Sequence, residues 1–339
     1  TQVGSSAASD VYKRQTVFEG IHRILPGEYA VLCTKTLTVD FHRYWRATKV
    51  SPVECDALTA QASFEQLFEQ IMVEHMRSDV PFGLFLSGGI DSSLILAALH
   101  QWQDEKIRSY SVGYEGVALQ DELGSAEALA AHFDTEHVSL KVSRDDLFDR
   151  IVHSIWSTDD LMRDFASLPT SLLSERAAQD VKVVFSGEGG DEAFAGYRRY
   201  ASNTENWLKG VVRGTGGFRT RGQWDTRLPK QALATSLKTC DTRAAFKQIW
   251  RQAPHNWSDM QRRQLIDIET ALPDNLFVKG DRIMMSFGLE GRVPFADHRM
   301  IEFGLSLPDG LKMKGTTGKQ LLRQWGEKVL PAELLKRPK

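Results

Sequence analysis

Apolar and polar positions alternate along this chain in two distinct rhythms. Residues 81–86 (PFGLFL) form a short continuous apolar run, which predicts a strand buried on both faces of a parallel sheet. Residues 94–99 (LILAAL) follow at once and are rich in helix formers. Residues 108–113, 137–140 and 181–185 repeat the strand pattern. Between them, 126–132, 144–156 and 167–178 read as helices, the first opened by Asp121 and Glu122 at the favourable end of its dipole. Upstream, Phe64, Leu67, Phe68, Ile71, Met72, His75 and Met76 recur at helical spacing and predict an amphipathic helix leading into the 81–86 strand. His75 on that face reads as a packing or surface residue, not a ligand. Strands alternating with helices predict an α/β fold with a doubly wound parallel sheet. Residues 29–32 and 36–41 predict a hairpin before it, with a linker ending near Pro52. Residues 201–235 are polar, with glycines and arginines, and predict a loop; 243–250 and 262–270 look helical.

Two turns in this pattern carry the chemistry. The first, Ser87-Gly88-Gly89-Ile90-Asp91-Ser92-Ser93, joins a strand to a helix, a geometry that aims backbone N–H groups and a helix N-terminus at an anion. Gly88 and Gly89 let the backbone approach a phosphate, and the hydroxyls of Ser87, Ser92 and Ser93 are further donors. Asp91 would repel phosphate unless a divalent cation stood between them, which implies Mg²⁺. The second turn, Ser186-Gly187-Glu188-Gly189-Gly190-Asp191-Glu192, repeats the design at another strand end. Ligands of such sheets bind beyond the carboxyl ends of the strands. Asp91 and Asp191 are therefore expected to share a metal against a triphosphate. No Gly-Lys-Ser/Thr follows the first turn, so it is not a Walker A loop.

Composition narrows the classes. The 339 residues are enough for two domains, and 42% hydrophobic with 25% charged residues is ordinary for a globular protein. A formal charge of −2 speaks against a general nucleic-acid or membrane-surface binder. The three cysteines, Cys33, Cys55 and Cys240, form neither a disulfide framework nor a zinc pattern, and read as reduced thiols of a cytoplasmic protein. No stretch approaches the length of a membrane span, and no secretory signal is visible. Residues 10–15 (DVYKRQ) match the translation of a transposon end used in sequencing libraries. Residues 1–15 are therefore set aside as adapter-derived or disordered.

The first turn resembles the pyrophosphate loop of the ATP pyrophosphatases, which cleave ATP to AMP and PPi. With 43–45 (RYW), 78–93, 111–114 (SVGY), 185–197 (FSGEGGDEAFAGY), VKGDR, LEGRVPFADHR and RPK added, the chain from about residue 16 to 339 resembles the glutamine-hydrolysing asparagine synthetases. The resemblance implies a synthetase domain over 55–339, of the ATP-pyrophosphatase (adenine nucleotide alpha hydrolase-like) type with a helical C-terminal part. It makes 16–50 a β remnant of the glutaminase domain, whose nucleophilic cysteine has no match here.

The resemblance implies ATP and Mg²⁺ as cofactors, a small carboxylate substrate with aspartate as the default, and ammonia derived from glutamine. Leu86, Val112 and Gly187 would face adenine or ribose. Ser87, Gly88, Gly89, Ser92 and Ser93 would line the phosphates, Ser186 would also contact the nucleotide, and Asp91 and Asp191 would hold the metal. Glu188 and Lys339 are the implied catalytic residues, the first orienting or deprotonating ammonia, the second stabilising charge during adenylation. A lysine at the chain end implies a weakly active or inactive fragment. A homodimer is left open, and neither nucleic acid nor membrane is an expected partner.

Relatives with these loops also amidate sugar-linked carboxylates or close β-lactam rings, and the latter tend to carry tyrosine where Glu188 stands. A tRNA-modifying ATP pyrophosphatase and a non-catalytic nucleotide-binding protein are the readings from other classes. The near-neutral charge argues against the first. The three carboxylates Asp91, Glu188 and Asp191 argue against the second. Arg282, Arg292 and Asp297, charged residues in an apolar frame, are equally well read as internal ion pairs or as catalytic groups.

Overall fold

The computed structural model describes residues 14, 16, 18–103, 105–116, 122–159, 164–201 and 244–335. Contacts divide the chain into two units, each built from two segments: Thr1–Pro52 with Tyr197–Thr270, and Val53–Gly196 with Ala271–Lys339.

The first unit contains the expected hairpin. Strands β1 (Glu28–Leu32) and β2 (Val39–Arg43) pair antiparallel, with Ala30 opposite Phe41. Leu37 takes a left-handed φ of 55° in the turn between them. Tyr29, Val31, Leu32, Val39 and Phe41 of this ribbon are exposed. Arg14, from the segment set aside on sequence grounds, donates to Glu28 at 2.7 Å and lies 4.2 Å over the Phe41 ring. Helices Ala244–Gln252 and Asp259–Glu269 belong to the same unit, the latter started by a capping box in which Ser258 and Gln261 exchange hydrogen bonds. The predicted polar loop after Ala201 lies outside the described residues.

The second unit is the predicted α/β body. Helix α1 (Ala57–His75), capped by the Asp56 carboxylate on the Thr59 N–H, buries Phe64, Phe68, Ile71 and Met72. Then follow β3 (Phe82–Phe85), α2 (Ile90–Trp102), β4 (Arg108–Tyr114), α3 (Glu122–His132) and β5 (Glu136–Val142). The single helix expected over 144–156 is two, α4 (Arg144–Asp149) and α5 (Ile151–Thr158), meeting at Arg150. Helix α6 (Ser167–Ala177), β6 (Val183–Phe185) and the one-turn α7 (Gly190–Ala193) complete the first segment. The second segment adds a π-helical stretch Leu272–Phe277, α8 (Val278–Met285), β7 (Glu290–Arg292), α9 (His298–Ser306) and α10 (Gln320–Val329).

The five strands run parallel in the order β5-β4-β3-β6-β7. From β3 the chain steps outward through β4 and β5, then returns to lay β6 on the other side. The order therefore reverses between β3 and β6, which is where ligands of doubly wound sheets bind. Strand β7 is a fifth member that the apolar pattern did not predict. Helix α2 is buried from Asp91 to Leu99, so the phosphate-type loop sits on a rigid base. Trp325 of α10 packs edge-on against Phe64 and Phe68, at 5.3 and 5.5 Å between ring centres. Among the described residues no helix is long and apolar enough to cross a membrane.

Candidate functional site

The first turn sits at the carboxyl end of β3 and is stitched to itself. Gly88 takes φ 74°, open to glycine at little cost. The Ser92 and Ser93 hydroxyls both donate to the Gly89 carbonyl, at 3.1 and 2.8 Å, and Ser87 N–H donates to Ser92 Oγ at 3.3 Å. Gly89 N–H donates to Ser87 Oγ at 3.3 Å. The serine hydroxyls expected to face phosphate are thus directed into the loop, where they fix its shape. Leu86 is bonded to β4 on both sides: its N–H donates to Tyr110 O at 2.9 Å, and its carbonyl accepts from the Ser111 hydroxyl. Val112 lies half-buried in β4, two residues beyond Tyr110.

The second turn lies beside the first. Ser186 N–H donates to Arg292 O at 2.9 Å, tying it to β7. At Gly187 a Cβ would stand 2.9 Å from Asp91 Cβ, a measure of how tightly the turns adjoin.

Asp91 and Asp191 converge, and a residue absent from the sequence reading stands between them. Lys319 Nζ is 2.7 Å from Asp191 Oδ1 and is also hydrogen-bonded to Asp91 Oδ2. Its side chain is 3% exposed, so this is a buried ammonium between two carboxylates. Their charge holds the lysine's pKa above the usual value although burial works against it. Lys319 adopts a left-handed φ of 58° at the start of α10, a conformation costing roughly 1 kcal/mol that its ion pairs offset. Gly196 makes the arrangement possible: a Cβ there would lie 1.8 Å from Asp191 Oδ1 and 2.5 Å from Lys319 Cε.

The donor set fits a hard divalent cation completed by phosphate oxygens, since Mg²⁺ is commonly held by one or two carboxylates together with substrate phosphates. Two carboxylates already converge on one cationic atom. A self-contained protein cage is a poorer fit, because among the described residues no group of three or more His, Cys, Asp or Glu side chains could hold a metal.

Glu188, from the second turn, lines a pocket of about 380 Å³. Pro273, Phe277, Met284 and Val293 give it an apolar wall, and Glu188, Asp281 and Arg282 line it with charge. Burial pushes the Glu188 carboxyl up, and the Lys279 ammonium 3.6 Å from its Oε1 opposes that push. Lys279 also reaches Asp164 Oδ2 at 3.1 Å. Burial works against charge on Asp164, but Lys279, the Ala166 N–H and Asn275 together hold its carboxyl below the usual range. The signal for Lys279 was its place in the apolar run Leu276-Phe277-Val278, the argument applied to Arg282 and not to it. For Lys319 it was Gly318-Lys319 at the start of an amphipathic helix.

The other charged residues of the apolar frame serve the fold. Arg292 donates to Glu290 at 2.8 Å and to the carbonyls of His75 and Arg77. Asp297 caps α9 through the Arg299 N–H and accepts from the Arg299 guanidinium at 2.9 and 2.8 Å. Arg282 donates to the carbonyl of Thr158 while lining the pocket. His75, half-buried, has Nε2 3.7 Å from Asp297 Oδ2. Lys339 lies outside the described residues.

The family model for asparagine synthase matches residues 63–339. Asparagine synthetase [glutamine-hydrolyzing] 1 of Bacillus subtilis is 28% identical over 89% of this chain and 52% of its own length. A putative asparagine synthetase [glutamine-hydrolyzing] of Mycobacterium bovis is 30% identical over 96% of the chain and 54% of its own. Asparagine synthetase B [glutamine-hydrolyzing] of Escherichia coli is 26% identical over 84% and 45%. The chain thus spans about half the length of these relatives. The NH3-dependent NAD synthetase of Campylobacter jejuni overlaps 42% of this chain and 61% of its own at 19% identity, with a TM-score of 0.30. The fold assignment rests instead on the sheet itself. The family match takes in both turns, the paired aspartates with their lysine, and the Glu188 pocket, and by it the chain belongs to the asparagine synthase family.

Proposed function

We propose that this chain is the ATP-dependent part of an amide ligase of the asparagine synthetase type. The observation that carries the reading is the meeting of Asp91, Asp191 and Lys319 at the switch point, with Glu188 of the second turn lining a pocket. In the first step a substrate carboxylate oxygen attacks the α-phosphorus of ATP, the bond to the β-phosphate oxygen breaks, and PPi leaves. Backbone N–H groups at the start of the 13-residue α2 face the departing phosphates, and Lys319 supplies positive charge beside them. Mg²⁺, when bound by Asp91 and Asp191, would neutralise phosphate charge there.

In the second step the ammonia lone pair attacks the acyl carbon, and AMP leaves with the electrons of the acyl–oxygen bond. Glu188 accepts the proton that the new amide nitrogen loses, a role suited to a carboxyl whose proton affinity burial has raised. Lys339 takes its charge-stabilising role by similarity alone.

The reading assigns 55–339 to the synthetase domain and 16–50 to the end of a glutaminase domain that supplies ammonia. It places the protein in the cytoplasm, with aspartate as the default acceptor. The apolar wall of the pocket favours, as second reading, a larger carboxylate with an apolar portion. The test is ammonia-dependent release of AMP and PPi from Mg·ATP, with aspartate and a panel of bulkier carboxylates, beside Asp91→Ala. Turnover lost in the variant supports the reading, and the preferred acid names the acceptor. Absence of PPi with every acid, despite ATP binding, overturns it.

A further inference from the structure

Beside Glu188 stands a buried ammonium that the reaction outlined above does not use. Lys279, on the first turn of α8, is 6% exposed. Its Nζ lies between two carboxylates, 3.1 Å from Asp164 Oδ2 and 3.6 Å from Glu188 Oε1. Asp164 is itself pinned, its Oδ1 accepting from Ala166 N–H at 3.0 Å and its Oδ2 from Asn275 Nδ2 at 3.4 Å. The lysine is thereby tethered on one side while its remaining charge faces Glu188.

We propose that Lys279 is a positioning residue for Glu188: it holds the carboxylate ionised and turned into the pocket, and Asp164 restrains it by competing for the same ammonium. The proposal deepens the ligase reading and rests on it for the role of Glu188. A base that accepts a proton during amide formation must be unprotonated beforehand, in a place where burial favours the neutral acid. An ammonium shared at 3.6 Å favours the anion without the tight contact that would lower its basicity too far.

Among the described residues, further charged groups stand on the elements that carry Glu188 and line its pocket. Asp281 and Arg282 of α8 line the same pocket, and Arg282 is engaged with the Thr158 carbonyl. On β7, Arg292 is paired with Glu290 and held by the carbonyls of His75 and Arg77. On α7, Asp191 is on Lys319, and Glu192 is buried.

The two partners of Lys279 act on Glu188 with opposite sign, and that makes the test specific. Protein labelled with ¹³C at glutamate carboxyls is titrated by NMR, with Glu188→Gln to assign the signal. Lys279→Met is expected to raise the Glu188 midpoint by one pH unit or more, a tenfold gain in proton affinity. Asp164→Asn frees the ammonium for Glu188 and is expected to lower the midpoint, while Lys279→Arg stays near wild type. The acid limb of the ammonia-dependent pH–rate profile should move in the same directions.

Midpoints unmoved in folded variants, or moving together in one direction, overturn the proposal, because a merely structural role gives no opposed shifts. If Lys279→Met does not fold, Asp164→Asn decides alone: a lowered midpoint supports the proposal, an unchanged or raised one overturns it. The titration needs no turnover. A failed ligase assay therefore tells against the function and leaves this result standing.

Discussion

Replacing Lys319 by Met tests the centre of the site. The substitution removes an ammonium that is 3% exposed and leaves Asp91 and Asp191, 12% and 18% exposed, facing each other without it. Breaking a buried ion pair by deleting one partner costs about 3–5 kcal/mol, because the remaining charge stays buried. For a domain of ordinary size that corresponds to a fall in Tm on the order of 10 °C.

The pH dependence has a defined sign. Lys319 has a folded pKa above its unfolded value, so its stabilisation is complete below about 10.4 and is lost as pH rises through the folded pKa. In the variant the two like charges raise the proton affinity of the pair, so stability returns as pH falls. Two further measurements isolate the cause. Adding Asp91→Asn to Lys319→Met should restore part of the loss, since one of the repelling charges is gone. Mg²⁺ should stabilise the single variant by about 2.7 kcal/mol at a hundred times its Kd, and wild type by less at the same concentration. The assay is thermal unfolding by circular dichroism at pH 7, in EDTA and in Mg²⁺. A loss below about 1 kcal/mol, or a double variant no more stable than the single, would refute the view that Lys319 neutralises the pair.

Gly196→Ala should be disruptive out of proportion to one methyl group, because its Cβ would stand 1.8 Å from Asp191 Oδ1. Overpacking of this kind costs about 1–3 kcal/mol, and PPi release should fall with it, as measured by unfolding and by the pyrophosphate assay. Lys312 is fully buried near Asp309, and burial pushes its pKa down to about 8. The unfolded chain then holds its proton to higher pH than the folded one, so stability should rise between about pH 8 and 10.4, by on the order of 3 kcal/mol. Urea unfolding across that range should show the gain in wild type and its absence in Lys312→Met.

The body of the sheet was legible because its strands and helices announce themselves locally. PFGLFL and VVF are apolar on both faces, and α2 is apolar almost all round, as a buried layer requires. The meeting of Asp91 and Asp191 followed from two similar turns at strand ends of one sheet. What was not legible depends on distant partners. Strand β7 is three residues, Glu290, Gly291 and Arg292, and becomes a strand because β6 offers a free edge and its arginine finds carbonyls at the end of α1 and just after it. Lys279 and Lys319 look like surface lysines until the carboxylates they meet are known, and those lie far away in sequence. The break at Arg150 leaves no mark in composition, since neither Gly nor Pro stands there.

The order in which the chain is made gives the placement of α10 a consequence for the nascent protein. Both acidic turns and the sheet strands β3 and β6 leave the ribosome well before Lys319 and Trp325. Until α10 arrives, Asp91 and Asp191 have no lysine between them, and Phe64 and Phe68 lack the indole that closes over them. One late helix thus delivers the counter-charge of the site and the last large ring of this part of the core together. Pairing of the two aspartates and closure of this aromatic cluster wait on the same helix.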